Sequence, residues 1–230
     1  AVLLVTGDRI PYILARQQST ELYCIMVLSD IIDKVADHGY CIIDDFLQPR
    51  RSQALYQYAL QLPAQYWNLA GIGRQQNQTI NTMVRNDRIY WLTSEEPRHK
   101  DYLSIMDELR HEFNRELFLG LFDYECHLAH YPKGAFYKKH LDAFKGRSNR
   151  VLTTVFYLNP EWQETDGGQL VIYGDKGQVL ETVLPKQGRL VVFLSDRFVH
   201  EVQRSERDRF SITGWFRINA SISGIIDPPR

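Results

Sequence analysis

"RFSITGWFR", residues 209–217, is the stretch on which the reading of this fold turns. Along an extended chain the side chains alternate faces, so Arg209, Ser211, Thr213 and Trp215 share one side and Phe210, Ile212, Gly214 and Phe216 the other. The second set is apolar and must meet a hydrophobic layer. The first set carries a guanidinium and two hydroxyls beside an indole. Such a face either meets solvent or lines a polar lumen that holds an anionic ligand, with the Arg209 fork matched to a carboxylate.

The chain on the C-terminal side of Gly120 has the same texture. "FDYECHLAHY", "GAFYKKHL", "RVLTTVFYLN", "GGQLVIYG", "QVLETVL" and "GRLVVFLS" all read as short strands. Turn signals at Pro132-Lys133-Gly134, Asp166-Gly167-Gly168 and Asp175-Lys176-Gly177 separate them. Short strands at near-regular spacing predict a sandwich or an open barrel.

Before Gly120 the pattern is mainly helical. "LSDIIDKVADHG" predicts a helix capped by Ser29, with Ile31, Ile32, Val35 and Ala36 on one face and Gly39 at its end. "YCIIDDF" predicts a strand, and "QPRRSQALYQYALQL" a second helix with Pro49 in its first turn. Residues 62–83, with Gly71, Gly73 and a Gln/Asn-rich run, predict a loop. "VRNDRIYWL" has strand character around a turn at Asn86-Asp87. In "HKDYLSIMDELRHEFNRELFLG", Leu103, Met106, Leu109, Phe113 and Leu117 recur at three- and four-residue steps, the mark of one apolar helix face. Helices that precede a run of strands predict the α+β class, with helices packed outside a β-rich core.

Composition narrows the function. Among 230 residues, 44% are hydrophobic and 24% charged, as in an ordinary globular protein. A net charge of −1 argues against nucleic acid or an anionic membrane as the partner. No apolar run approaches the roughly 20 residues of a membrane span. The three cysteines, Cys24, Cys41 and Cys126, form no CxxC pair, which argues against a disulfide framework or a thiolate zinc site and suits a reducing cytoplasm. The apolar start is broken by Asp8, Arg9 and Pro11 and lacks the features of a signal peptide. Residues 1–25 therefore read as an extension, 26–119 as a helical support region, 120–218 as the β-rich core and 219–230 as a tail.

"FYKKHLDAF", residues 136–144, places His140 and Asp142 on one strand face if the segment is extended. An imidazole nitrogen and a carboxylate oxygen side by side make two ligands of a divalent metal, although so short a pattern also fits two solvated residues. "GRLVVFLSDRFVHEVQ" adds His200 just beyond an apolar strand. His127 and His130 in "HLAH" fall on opposite faces of a strand and read as structural.

The set His140-Leu141-Asp142, His200, and Arg209 nine residues later resembles the iron(II)- and 2-oxoglutarate-dependent dioxygenases. "YLNPEW", "GGQL", "FLSDRFVHEV" and "RFSITGWF" are similar to the prolyl 4-hydroxylase branch, which includes the hypoxia-inducible-factor hydroxylases and their bacterial relatives. The resemblance covers about residues 120–218 and implies a double-stranded β-helix, or jelly roll, with supporting N-terminal helices. "VRNDRIYWL" resembles the substrate-covering finger, about residues 80–92, with Asn86-Asp87 where the family often has Gly-Asp.

By resemblance, His140, Asp142 and His200 hold Fe(II), and three ligands leave three octahedral positions for bidentate 2-oxoglutarate and O2. Arg209 pairs with the distal carboxylate of 2-oxoglutarate and Tyr157 hydrogen-bonds it. Val155, Tyr131 and Thr213 line the same pocket, and ascorbate is the expected reductant. Arg85, Asp87, Arg88 and Trp215 match substrate contacts. The implied reaction hydroxylates a prolyl residue at C4 in a protein, such as elongation factor Tu, while 2-oxoglutarate becomes succinate and carbon dioxide. Oxygenation of another side chain or a small molecule, and a jelly-roll sensor without catalysis, are the alternatives. Lys138, Lys139, Lys145, Arg147 and Arg150 form a basic neighbourhood, either a solvated face or an attractor for an acidic protein segment.

Overall fold

An alternating strand needs a layer on each side, and the architecture supplies both. The computed structural model describes residues 27–71, 83–143 and 148–218, with the backbone of 221–222 and 225–226. The readings of residues 1–25, of Lys145 and Arg147, and of the Gln/Asn-rich run lie outside the described residues, as does most of the C-terminal tail.

Helix α1 covers 27–38. It leads into β1 (Tyr40–Ile43), α2 (Pro49–Gln61), a 3-10 turn at Ala64–Tyr66, and the strands β2 (Asn68–Leu69) and β3 (Arg88–Trp91). Helix α3 (Pro97–Leu117) precedes β4 (Leu121–Tyr131), β5 (Tyr137–His140), β6 (Arg150–Tyr157) and β7 (Leu170–Tyr173). Then come β8 (Val179–Val183), β9 (Leu190–Leu194), β10 (His200–Val202) and β11 (Arg209–Ile218), and the short strands β12 (Ser221–Ile222) and β13 (Ile225–Ile226). The larger sheet has the order β1-β9-β6-β11-β4-β3-β2 and the smaller β5-β10-β7-β8, every pair antiparallel. The two form a jelly roll with the helices outside it, as the α+β reading predicts.

Strand β11 sits between β6 and β4 and sorts its two rows as the alternation requires. Phe210, Ile212 and Phe216 join a core with Ile31 of α1, Leu55 of α2, and Met106, Leu109 and Phe113 of α3. Each such side chain contributes about 1.5–3 kcal/mol by leaving water. A second core, including Val155, Ile172, Val191 and Phe193, fills the space between the sheets. A one-residue slip of β11 would drive Arg209 into the helical core, so its register is strongly specified. Gly214 leaves room for side chains of the neighbouring β4: a Cβ there would stand 2.3 Å from Tyr124 Oη.

Three local expectations are corrected. Helix α1 already includes Val27, so Ser29 is inside the helix and not its cap; Leu28 joins Ile31, Ile32 and Val35 on the buried face, and Ala36 is exposed. That spacing of three, four and seven residues extends the apolar stripe upstream. Gly39, at φ +82, ends the helix as expected, and its N–H donates to Val35 O at 2.9 Å. Within the expected loop, Asn68 and Leu69 pair with Ile89 and Arg88, an edge contact with no local signal. Asn86-Asp87 is not a hairpin turn. Arg85 bridges to Tyr137 of the smaller sheet while Arg88 pairs with His130 of the larger, so the segment crosses between sheets. His200 lies beyond the apolar strand β9 as expected, and begins β10, paired on both sides.

Cys41 and Cys126 are free and buried. Among the described residues, no helix is long and apolar enough to cross a membrane.

Candidate active site

The register of the smaller sheet assembles the candidate metal ligands. His200 on β10 lies directly opposite His140 at the end of β5, and Asp142 follows in the bend beyond that strand. The His140 and His200 rings are 4.2 Å apart. His140 Nε2 stands 3.6 Å from Asp142 Oδ1 and His200 Nε2 3.7 Å from Oδ2. One ligand atom from each of the three lies within 4.8 Å of the others.

Backbone carbonyls set the tautomers. His140 Nδ1 is 2.8 Å from Lys138 O, and His200 Nδ1 is 3.0 Å from Phe198 O. A carbonyl only accepts, so each Nδ1 carries its proton and each Nε2 presents a lone pair to the cluster. Burial, with the neighbouring His140, lowers the His200 pKa to about 4, which keeps it neutral, as a metal ligand must be. Burial pushes the Asp142 carboxyl up, but His200 and then His140 outweigh it and hold it well below the usual carboxylate range. Thr153 Oγ1 donates to Asp142 Oδ2 at 2.8 Å and Trp215 Nε1 donates to the same oxygen at 3.0 Å. Two donors on one oxygen lock the carboxylate plane.

The lumen row of β11 lies against matching rows on both neighbours. Arg209 is opposite Tyr131, Ser211 opposite Ala129 and Tyr157, Thr213 opposite His127 and Val155, and Trp215 opposite Glu125 and Thr153. All four side chains of the β11 row, with Tyr131, His127, Val155 and Thr153 from its neighbours, line a cavity of 590 Å³ that also contains the three candidate ligands. At its deep end Arg209 is 1% exposed, with Cζ 4.9 Å from the Tyr131 ring and 5.0 Å from the Tyr157 ring. Arg209 Nε and Nη2, Tyr157 Oη and Ser211 Oγ are buried with no hydrogen-bond partner among the described residues. Orphaned buried donors are costly, and a guanidinium beside two hydroxyls is a cradle for a carboxylate. The donor sets therefore fit both groups implied: a divalent cation on two imidazoles and a carboxylate, and a dicarboxylic acid whose far end meets Arg209.

Of the substrate contacts expected from sequence, Trp215 and Arg85 line the cavity. Asp87 is fully buried and binds Arg85 through both carboxylate oxygens, so it does not reach the cavity; Arg88 is exposed and lies outside the lining. The basic neighbourhood divides. Arg150 donates twice to Glu125 Oε1 and stacks 3.4 Å from the Trp215 ring, while the exposed Lys139 stacks 3.7 Å from Tyr173.

His127 and His130, both expected from sequence to be structural, part company in space. His127 lines the cavity between Trp91, at 5.1 Å, and Trp215, at 5.5 Å, whereas His130 stacks on Phe210 on the other side. The signal was parity: His127 is four residues before Tyr131 and shares its face. Burial, then the positive Arg85, lowers the His127 pKa to about 4. Parity with Val155 and Tyr157 likewise pointed to Thr153.

Residues 126–217 match the 2OG-Fe(II) oxygenase superfamily. A Pseudomonas putida prolyl-4-hydroxylase of known structure is 39% identical; the match covers 84% of this chain and 100% of that one, with a TM-score of 0.76. A Trichoplax adhaerens prolyl hydroxylase, solved with a hypoxia-inducible-factor oxygen degradation domain peptide, is 27% identical, with 86% and 92% covered and a TM-score of 0.73. Human Egl nine homolog 1 is 30% identical over 83% of this chain, and the hypoxia-inducible factor prolyl hydroxylase of Caenorhabditis elegans 28% over 88%. The chain spans 46% and 30% of the length of those two relatives.

Proposed function

The chain belongs to the 2OG-Fe(II) oxygenase superfamily, and from that premise we propose that it hydroxylates a prolyl residue, at C4, within a protein substrate. The observation that carries this reading is the convergence, in one cavity, of the His140, Asp142 and His200 ligand atoms with the unpartnered donors of Arg209 and Ser211, with Tyr157 packed against Arg209. When bound, Fe(II) and 2-oxoglutarate supply, with O2, an oxidising centre that inserts one oxygen into a C–H bond as 2-oxoglutarate becomes succinate and carbon dioxide.

The chain's own residues bind and orient. His140, Asp142 and His200 would hold the cation by three positions, leaving the others open. Arg209 would pair with the distal carboxylate through its planar fork, and Tyr157 and Ser211 would donate to the same group. Thr213, Val155 and Tyr131 line the space between these two ends. Thr153 and Trp215 hold the Asp142 carboxylate in place throughout, so the ligand set is preorganised. Trp91, His127 and Trp215 line the cavity with aromatic surface, which would suit the apolar ring of a prolyl residue and exclude water around it.

A protein substrate is supported by the relatives' names and by the peptide held in the Trichoplax neighbour. Elongation factor Tu is the first candidate to test. Incubation of the protein with candidate substrates, Fe(II), 2-oxoglutarate and ascorbate should yield succinate and a one-oxygen gain on proline, read by mass spectrometry. Both products should disappear in His140→Ala and Asp142→Ala. Wild-type turnover in either variant would remove the metal-ligand assignment, and oxygen gained on another residue would remove the prolyl one.

A further inference from the structure

Three groups stand in line behind His140. The Asp87 carboxylate accepts from Arg85 Nε at 2.8 Å and from Nη2 at 2.5 Å. The Arg85 guanidinium lies 4.4 Å over the Tyr137 ring. That ring stacks on the His140 imidazole, with centroids 3.5 Å apart and planes 15° apart. The backbone follows the same path: Arg85 bridges to Tyr137, Lys138 N–H donates to Val84 O at 2.9 Å, and Phe136 N–H donates to Asn86 Oδ1 at 2.9 Å. The far side is anchored too, since Asp87 O accepts from Ala70 N–H at 3.0 Å.

We propose that residues 84–87 are a clasp on the metal-binding strand, in which Arg85 is a positioning residue for the His140 imidazole, so that docking of this segment and binding of a divalent cation strengthen each other. Strand β5 has four residues and lies at the edge of its sheet, with β10 on one side only. A short edge strand holds a terminal side chain poorly unless something covers its free edge. The clasp covers it with main-chain bonds and presses one face of the imidazole with a ring that is itself pinned by a cation. The Arg85–Asp87 pair thus has a task other than touching substrate: Asp87, fully buried, fixes the guanidinium so that Arg85 can fix Tyr137. Because coupling is reciprocal, a cation that orders His140 also stabilises the docked segment. The inference rests on the metal-site assignment of His140, Asp142 and His200, and is independent of the identity of the substrate.

Co(II) serves as the probe, since its absorption bands report ligand geometry. Titration followed by absorption and calorimetry should show Arg85→Ala and Tyr137→Leu binding Co(II) about 10–100-fold more weakly than the unaltered protein, with altered bands. Arg85→Lys should recover part of the loss, because it keeps the charge over Tyr137 but not the fork. In the unaltered protein, Co(II) should slow amide hydrogen exchange at Phe136 and Lys138, and this protection should be missing in Arg85→Ala. Thermal melts of the metal-free variants identify any that fail to fold, and Tyr137→Leu leaves the backbone bonds of the clasp in place. Unchanged affinity in a folded Arg85→Ala or Tyr137→Leu overturns the clasp. If the unaltered protein binds no Co(II), the metal-site assignment itself fails, and that outcome is distinct.

Discussion

Arg209→Met should make the ligand-free protein more stable and blind to 2-oxoglutarate. The guanidinium is 1% exposed, and its Nε and Nη2 have no partner among the described residues. A buried donor without a partner costs about 1–3 kcal/mol, so two of them place the relief on substitution at roughly 2–6 kcal/mol. Methionine fills much of the same volume without a polar atom. In a chain of this size, 1 kcal/mol shifts Tm by about 2–4 °C, so the lower estimate already predicts a rise of about 4–8 °C. The ligand response should move the other way. In the unaltered protein, 2-oxoglutarate at 100 times its Kd adds about 2.7 kcal/mol to stability. Losing two charge-assisted hydrogen bonds of about 1.5–3 kcal/mol each weakens binding by roughly two to four orders of magnitude, and the same concentration then adds almost nothing. Thermal melts with Mn(II), with and without 2-oxoglutarate, read both effects. An equal ligand-induced shift in the two proteins would refute the assignment of Arg209, and a large fall in the ligand-free Tm would show that the guanidinium is satisfied within the fold.

Two further outcomes follow from the same geometry. His127 titrates near the ordinary 6.5 when unfolded but at about 4 when folded, chiefly through burial. Between those values the unfolded chain binds more protons, so the contribution is present above pH ~6.5 and is lost as pH falls towards 4, about 3 kcal/mol in all. Chemical denaturation of the metal-free protein across that window should show a shallower acid limb in His127→Leu; an unchanged slope would place the titration elsewhere. Gly214→Ala sets a methyl 2.3 Å from Tyr124 Oη and 2.7 Å from Cys126 Cβ, in a packed layer where overfilling costs about 1–3 kcal/mol. Denaturant midpoints should fall accordingly, and a neutral result would mean that the Tyr124 ring moves freely aside.

What the chain announced and what it withheld differ by the range of the interaction. The apolar stripe of α3 and the two faces of β11 were legible in the sequence, because a period of 3.6 or 2 is a property of neighbouring residues. The family resemblance implied one pocket for Val155, Tyr157 and Tyr131, and the same parity puts Thr153 on the face of Val155 and Tyr157, and His127 on that of Tyr131. By itself the periodicity determined helices outside a sandwich or open barrel and a polar row on β11 that begins at Arg209; the jelly roll was implied by the family resemblance.

Only the tertiary structure decided which strands meet. His140 and His200 are 60 residues apart, and the pairing of β5 with β10 places them face to face. No local pattern marks β10, which is three residues long, or the crossing of 85–88 from one sheet to the other. The use made of a charge is likewise settled in space. Arg85, Asp87 and Arg209 look alike as polar residues in a string, yet the first two bind each other while the Nε and Nη2 of the third find no partner among the described residues. In a buried site the cost of an unsatisfied group depends on what faces it, and that is fixed by register and packing across the sheets, beyond the reach of sequence periodicity.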